Sequence, residues 1–215
     1  MIPKQTKLKI CGITSLEDAR FAAGALADYL GFIFYPESPR HVTPRVAAEI
    51  AGWIEGIGLV GVFVNQAPDE INAVAERVGL DLVQLHGDEI PDDARSISKP
   101  VIKAFRIEEG ETADSVQERI APWRGVASYF LFDAYHSKRY GGTGKSWNWS
   151  VLSGLNSDTP FFLAGGISSD NVADAVSVAQ PYAVDLSSSL EQSPGVKDFD
   201  KMQEFFDRWQ ELSAS

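Results

Sequence analysis

One feature constrains this chain more than any other: it alternates. Short runs rich in β-branched and aromatic residues recur along its whole length. They are 8–12 (LKICG), 29–34 (YLGFIF), 58–64 (GLVGVFV), 81–87 (DLVQLHG), 100–105 (PVIKAF), 128–134 (SYFLFDA), 160–166 (PFFLAGG) and 182–188 (YAVDLSS). Several are almost unbroken apolar stretches, the pattern of parallel strands covered on both faces. Between them the period changes from two to 3.6. Leu16, Ala19, Ala23 and Leu26 mark one apolar stripe, and Ile71, Val74, Ala75 and Val78 another. Ala113, Val116, Ile120 and Trp123 follow, then Val172, Ala175, Val176 and Ala179, then Phe199, Met202, Phe206 and Trp209. Thr14 with Glu17 reads as a capping box, and Ser168-Ser169-Asp170 as the cap of the helix after 160–166.

Eight β/α units in 215 residues predict an α/β fold, a single closed (β/α)8 TIM barrel spanning 1–215. An open doubly wound sheet is the alternative, although that fold usually has fewer strands. No linker or low-complexity segment divides the chain, and the tail 211–215 (ELSAS) is expected to fray.

Composition excludes several function classes. Acidic residues outnumber basic ones by 30 to 19, a net charge of −11, which argues against a nucleic-acid partner. It leaves room for a small anion, since a local pair of cations and a few aimed N–H groups can hold one. The single cysteine, Cys11, precludes an internal disulfide, and three histidines without a ligand-spaced cluster argue against a metal. No apolar run is long enough for a signal peptide or a membrane span, so a cytoplasmic protein is expected. The segment 140–146 (YGGTGKS) ends like a phosphate-binding P-loop, but the position five before Gly144 is Arg139 where that motif needs glycine.

In a barrel, active sites lie at the carboxyl ends of the strands. The polar residues there are Cys11, Arg40, His86, Asp133, the loop Gly141-Gly142-Thr143-Gly144, Gly165-Gly166, and Asp185 with Ser187, Ser188 and Ser189. Loops after strands seven and eight commonly hold phosphate in such folds. Gly165 and Gly166 offer N–H groups without obstructing side chains, and Ser187, Ser188 and Ser189 add hydroxyls.

The motifs KICGIT (9–14), GFIFYPESPR (31–40), VGVFVNQ (60–66), VQLHGDE (83–89), FDAY with GGTGKSWNW (132–149), FFLAGGIS (161–168) and VDLSSSLEQSPGVKD (184–198) occur in order along the chain. With these motifs the sequence resembles the phosphoribosylanthranilate isomerases of tryptophan biosynthesis. The resemblance implies an Amadori rearrangement of a phosphoribosyl-anthranilate without a cofactor. It implies Cys11 as general base and Asp133 as general acid. Arg40 is the candidate for the anthranilate carboxylate, because a guanidinium fork fits a planar carboxylate. Asp185 binds sugar hydroxyls, supports Asp133, or is structural, and it is the rival for the role of acid; His86 stays eligible by its position alone. The loop 141–144 is expected to fold over bound substrate, anchored by Trp147 and Trp149. The family usually has Ser-Gly where this chain has Ser188-Ser189, so Ser189 either takes up backbone strain or adds a hydroxyl. A monomer and a homodimer are both open. The aminoaldose isomerase of histidine biosynthesis is the nearest rival, but an Asp is expected there in place of Cys11. A non-catalytic phospholigand-binding module is another.

Overall fold

A computed structural model describes residues 6–134 and 147–214. Eight strands form a closed parallel barrel, each paired with the next and β8 with β1. They are β1 Lys7–Cys11, β2 Tyr29–Ile33, β3 Gly58–Phe63, β4 Leu82–Leu85, β5 Val101–Ile107, β6 Tyr129–Ala134, β7 Phe161–Leu163 and β8 Ala183–Leu186. All eight strands expected from the sequence are present. The helices are α1 Leu16–Gly24, α2 Pro44–Ala51, α3 Pro68–Val78, α4 Pro91–Arg95, α5 Ala113–Ile120, α6 Val172–Ala179 and α7 Phe199–Ala214. A 3-10 segment, Trp149–Gly154, follows β6.

Alternation along each strand sorts its side chains into two layers. Outward residues such as Leu8, Ile10, Leu30 and Phe32 meet the apolar faces of the helices in one continuous core. Inward residues fill the barrel: Val60, Leu82, Ile102, Leu131, Phe162 and Ala183 form a separate cluster. Tyr29, Tyr129 and Tyr182 pack round Phe162 at centroid distances of 5.7, 5.5 and 5.6 Å. Each fully buried Leu, Ile or Phe contributes about 1.5–3 kcal/mol. With the lower half filled by these side chains, the space inside the barrel opens at its carboxyl end.

Several local expectations are corrected. The cap of α1 is Ser15, whose hydroxyl accepts from Asp18 N at 3.0 Å, while Thr14 Oγ1 donates to Gly195 O at 2.6 Å. The buried face of α1 holds Ala19 and Ala22, and Leu26 is 78% exposed because the chain has already left the helix. Asn171, not a serine, precedes α6; it accepts from Ser168 N at 2.9 Å and donates to Gly166 O at 2.8 Å. Helix α7 turns Met202, Phe205, Phe206 and Trp209 inward, and Phe199 lies half exposed against Phe21. It runs to Ala214, so residues 211–214 are helical where fraying was expected. Two short helices were not foreseen. The signal for α2 was Thr43-Pro44, a cap followed by proline at the first helical position; α4 has only five residues. A two-stranded hairpin after β8, β9 Glu191–Ser193 with β10 Val196–Lys197, was also unforeseen.

Candidate active site

Cys11 is the last residue of β1 and points into the barrel mouth beside Gly31 of β2. A Cβ at Gly31 would lie 2.7 Å from Cys11 Sγ, so glycine there makes room for the thiol. Two positions back on the same face, Lys9 is fully buried and donates to Asp185 Oδ2 at 2.8 Å. Strand register places them side by side, Lys9 opposite Asp185. Asp133, near the end of β6, accepts from Ala134 N at 2.8 Å through Oδ1. His86, just beyond β4, brings Nε2 to 3.7 Å from Asp133 Oδ2, and Gln84 Nε2 lies 2.9 Å from its Nδ1. With the amide donating, Nδ1 accepts and the ring proton sits on Nε2, facing Asp133.

Cys11, Gln84, His86, Asp133 and Asp185 line one cleft together with Arg40, Gly165, Gly166, Ser187, Ser188 and Ser189, while Lys9 lies buried beneath it. Every candidate site residue in the described part of the chain therefore meets there. The loop Gly141, Gly142, Thr143 and Gly144 lies outside the described residues. Trp147, the first described residue after it, donates from Nε1 to Ala164 O at 3.0 Å.

Electrostatics divides the titratable groups. Burial, then the positive charges of Arg106, Lys9 and Lys103, push His86 down to about 3, so it is neutral. The 3.7 Å approach to Asp133 is thus not an ion pair. Burial and the negative charge of Asp185 push Asp133 up to about 6. Burial also raises the Cys11 thiol, against the pull of Lys9 and Lys197. Asp185 is raised by burial, which outweighs Lys9. Three buried polar atoms in the lining lack a partner among the described residues: Gln84 Oε1, Asp185 Oδ1 and Ser187 Oγ. Buried polar groups are normally satisfied, so three orphans in one cleft mark a ligand's place.

The turns after β7 and β8 supply the glycines and serines of the lining. Gly165 and Gly166 have φ of +85° and +72°. A Cβ at Gly165 would lie 2.5 Å from Ala134 N and 2.9 Å from Asp133 Oδ1, so that turn presses directly on the Asp133 carboxyl. Ser188 and Ser189 open a 3-10 turn, Ser188–Leu190. Ser189 is not among the three described non-glycine residues with positive φ, so it carries no left-handed strain. Arg40 lies in the cleft wall, buried, with Nε and Nη2 donating to Glu191 at 2.8 and 2.6 Å. Its fork is therefore half engaged within the protein; among the described residues, Nη1 has no partner.

A model of the N-(5′-phosphoribosyl)anthranilate (PRA) isomerase family matches residues 8–208. The chain belongs to the phosphoribosylanthranilate isomerase family. It is 49% identical over 203 residues to the N-(5′-phosphoribosyl)anthranilate isomerase of Geobacter sulfurreducens, covering 94% of this chain and 97% of that one. Among solved structures, the phosphoribosyl anthranilate isomerase of Thermus thermophilus superposes with a TM-score of 0.85 at 34% identity, covering 96% of this chain and all of the other. Another, with TM-score 0.82 and 35% identity over 96% of this chain and 99% of its own, is an isomerase in complex with reduced 1-(o-carboxyphenylamino)-1-deoxyribulose 5-phosphate. The resemblance read from the motifs is thus that of the family itself.

Sequence reasoning missed four polar residues round this family site: Lys9, Gln84, Glu191 and Lys197. Lys9 and Gln84 carried a signal, a polar residue at an inward position of an otherwise apolar strand. Glu191 and Lys197 carried none, because the hairpin that delivers them is formed by only five residues in strands.

Proposed function

We infer that this chain is the isomerase of tryptophan biosynthesis that its family performs, rearranging N-(5′-phosphoribosyl)anthranilate to 1-(2-carboxyphenylamino)-1-deoxyribulose 5-phosphate. One observation carries the assignment of roles: a thiol on β1 and a carboxyl of raised pKa on β6 face one cleft that a glycine turn and a serine turn also line. Asp133 gives its proton to the furanose ring oxygen, the C1′–O bond breaks, and an iminium forms. Cys11 as thiolate takes the proton from C2′, and the electron pair moves to neutralise the iminium as an enolamine. The enolamine tautomerises to the ketone, with the 2′-hydroxyl proton lost and C1′ gaining one. Return of the proton on Cys11 to Asp133 through solvent resets the site, so no proton is consumed.

The environment supports this division. A carboxyl held near 6 keeps a protonated fraction near neutrality. A thiolate next to the buried Lys9 ammonium is a paired charge rather than an isolated one. The turns at Gly165-Gly166 and Ser187–Ser189 offer N–H and hydroxyl donors to phosphate. Arg40 presents its free Nη1 edge to the anthranilate carboxylate, its plane fixed by Glu191. Asp185 Oδ1 and Gln84 Oε1 accept from sugar hydroxyls. The test is direct: purified protein is mixed with freshly made phosphoribosylanthranilate and the decay of its fluorescence is followed. Decay at the uncatalysed rate would reject the reading.

A further inference from the structure

One buried cation at this site has no part in the chemistry above. Lys197 ends β10, and its side chain is 0% exposed. It gets there because the β9–β10 hairpin folds back towards the end of β1. Its ammonium donates to Cys11 O at 2.7 Å, Ser187 O at 3.1 Å and Glu191 Oε1 at 3.1 Å. A lysine ammonium has three N–H groups, so all are used. Glu191 in turn holds Nε and Nη2 of Arg40. Two cations and one carboxylate are thus buried together, a net positive centre in a chain of net charge −11. A buried ion cluster is poor evidence for stability, because desolvation offsets most of its attraction. What this one does have is reach: its partners are the backbone of the base, the serine turn and the guanidinium.

We propose that Lys197, acting through its three acceptors, is a positioning residue that holds Cys11, the Ser187 turn and, through Glu191, Arg40 in a single frame. The proposal rests on the roles assigned above. The charged groups facing the thiol are Lys9 on its own strand, Asp185 on β8 and Lys197 on β10. Lys9 and Lys197 favour the thiolate and Asp185 opposes it. Lys197 therefore sets where the thiol points, and adds to the thiolate a smaller pull than that of Lys9.

Cys11 is the only cysteine, so the pH dependence of iodoacetamide alkylation reports that thiol alone. Lys197→Met keeps the stem and removes the charge. It should move the alkylation midpoint to higher pH, slow alkylation at neutral pH about tenfold, and lower kcat by about tenfold or more. Glu191→Gln keeps the shape but weakens the hold on Arg40, and should raise KM about tenfold, more than it lowers kcat. Lys197→Met with kcat within about twofold of the parent overturns the proposal, whether or not the midpoint moves. Should Lys197→Met fail to fold, Glu191→Gln decides, and an unchanged KM overturns it. A parent protein that alkylates normally but does not turn over substrate refutes the functional reading instead; the alkylation shift then still judges the frame.

Discussion

A carboxyl that must release a proton near neutrality has to be kept partly neutral, and Asp133 is placed for that. It is buried, and Asp185 is the charge that raises it further. The thiol, pushed upward by burial, ionises at higher pH than Asp133. The working form, neutral Asp133 with ionised Cys11, holds one proton between the two groups. The commonest form between their pKa values, ionised Asp133 with neutral Cys11, holds the same number. The two rise and fall together with pH. kcat/KM should therefore be level from about 6 up to the pH at which the thiol ionises, and fall about tenfold per unit below and above that window, although Asp133 acts as the acid. Asp185→Asn removes the charge that raises Asp133, so the lower limb should move to lower pH; a limb from the substrate's own phosphate would stay put. Cys11→Ala and Asp133→Asn should each reduce kcat by about 10²–10⁴-fold in the fluorescence assay. Both residues were legible in the sequence, because strand ends were recognisable and the motifs around them specific. The elevated pKa was not, since it depends on burial in the closed barrel and then on Asp185, which lies 52 positions away along the chain.

At the scale of elements, the site depends on turns more than on strands. The β7–α6 turn is held by Asn171, and a side chain at Gly165 within it would run into Ala134 N and the Asp133 carboxyl. Gly165→Ala combines a φ of +85° with a Cβ at 2.5 Å from Ala134 N. Strain of this kind costs about 1–3 kcal/mol, and relieving it must shift the acid. The expected outcome is a lower urea midpoint together with a kcat loss of at least about tenfold. An alanine variant with parent kinetics would show that the turn does not position Asp133. Helix positions were read well where the apolar stripe was long, as in α6, whose four expected residues are all buried. They slipped in α1, where Thr14 and Ser15 are both plausible caps and only the bond from Thr14 to Gly195 O decides between them.

For the whole molecule, the barrel carries an electrostatic cost that activity requires. Ionising Asp133 inside the fold is disfavoured because its pKa rises from 3.8 to about 6. Its contribution to stability is fully present below the unfolded value and is lost as pH rises through about 6. A shift of that size corresponds to about 3 kcal/mol. Asp133→Asn should therefore be more stable than the parent by up to about 3 kcal/mol at about pH 8, with the gain gone by about pH 3. Urea unfolding at the two pH values measures it; an equal gain at both would mean that packing, not charge, is responsible. His86 acts in the opposite sense. Its pKa falls to about 3, so its contribution is present above its unfolded value and lost as pH falls through that range.

The alternation of strand and helix, by itself, determined a parallel α/β fold and favoured a closed barrel over an open doubly wound sheet, because eight strands are many for the open form. It also determined which end of the barrel does chemistry, because polar residues interrupt the runs at their carboxyl ends. Only the tertiary structure decided how those residues act. It stacked Lys9 under Cys11, set Asp185 where it raises Asp133, and threaded Lys197 into hydrogen bonds with residues 186 and 10 positions away. Sequence patterns record local spacing and burial, whereas these energies follow from distances between side chains far apart in the chain, at the low dielectric of a closed barrel.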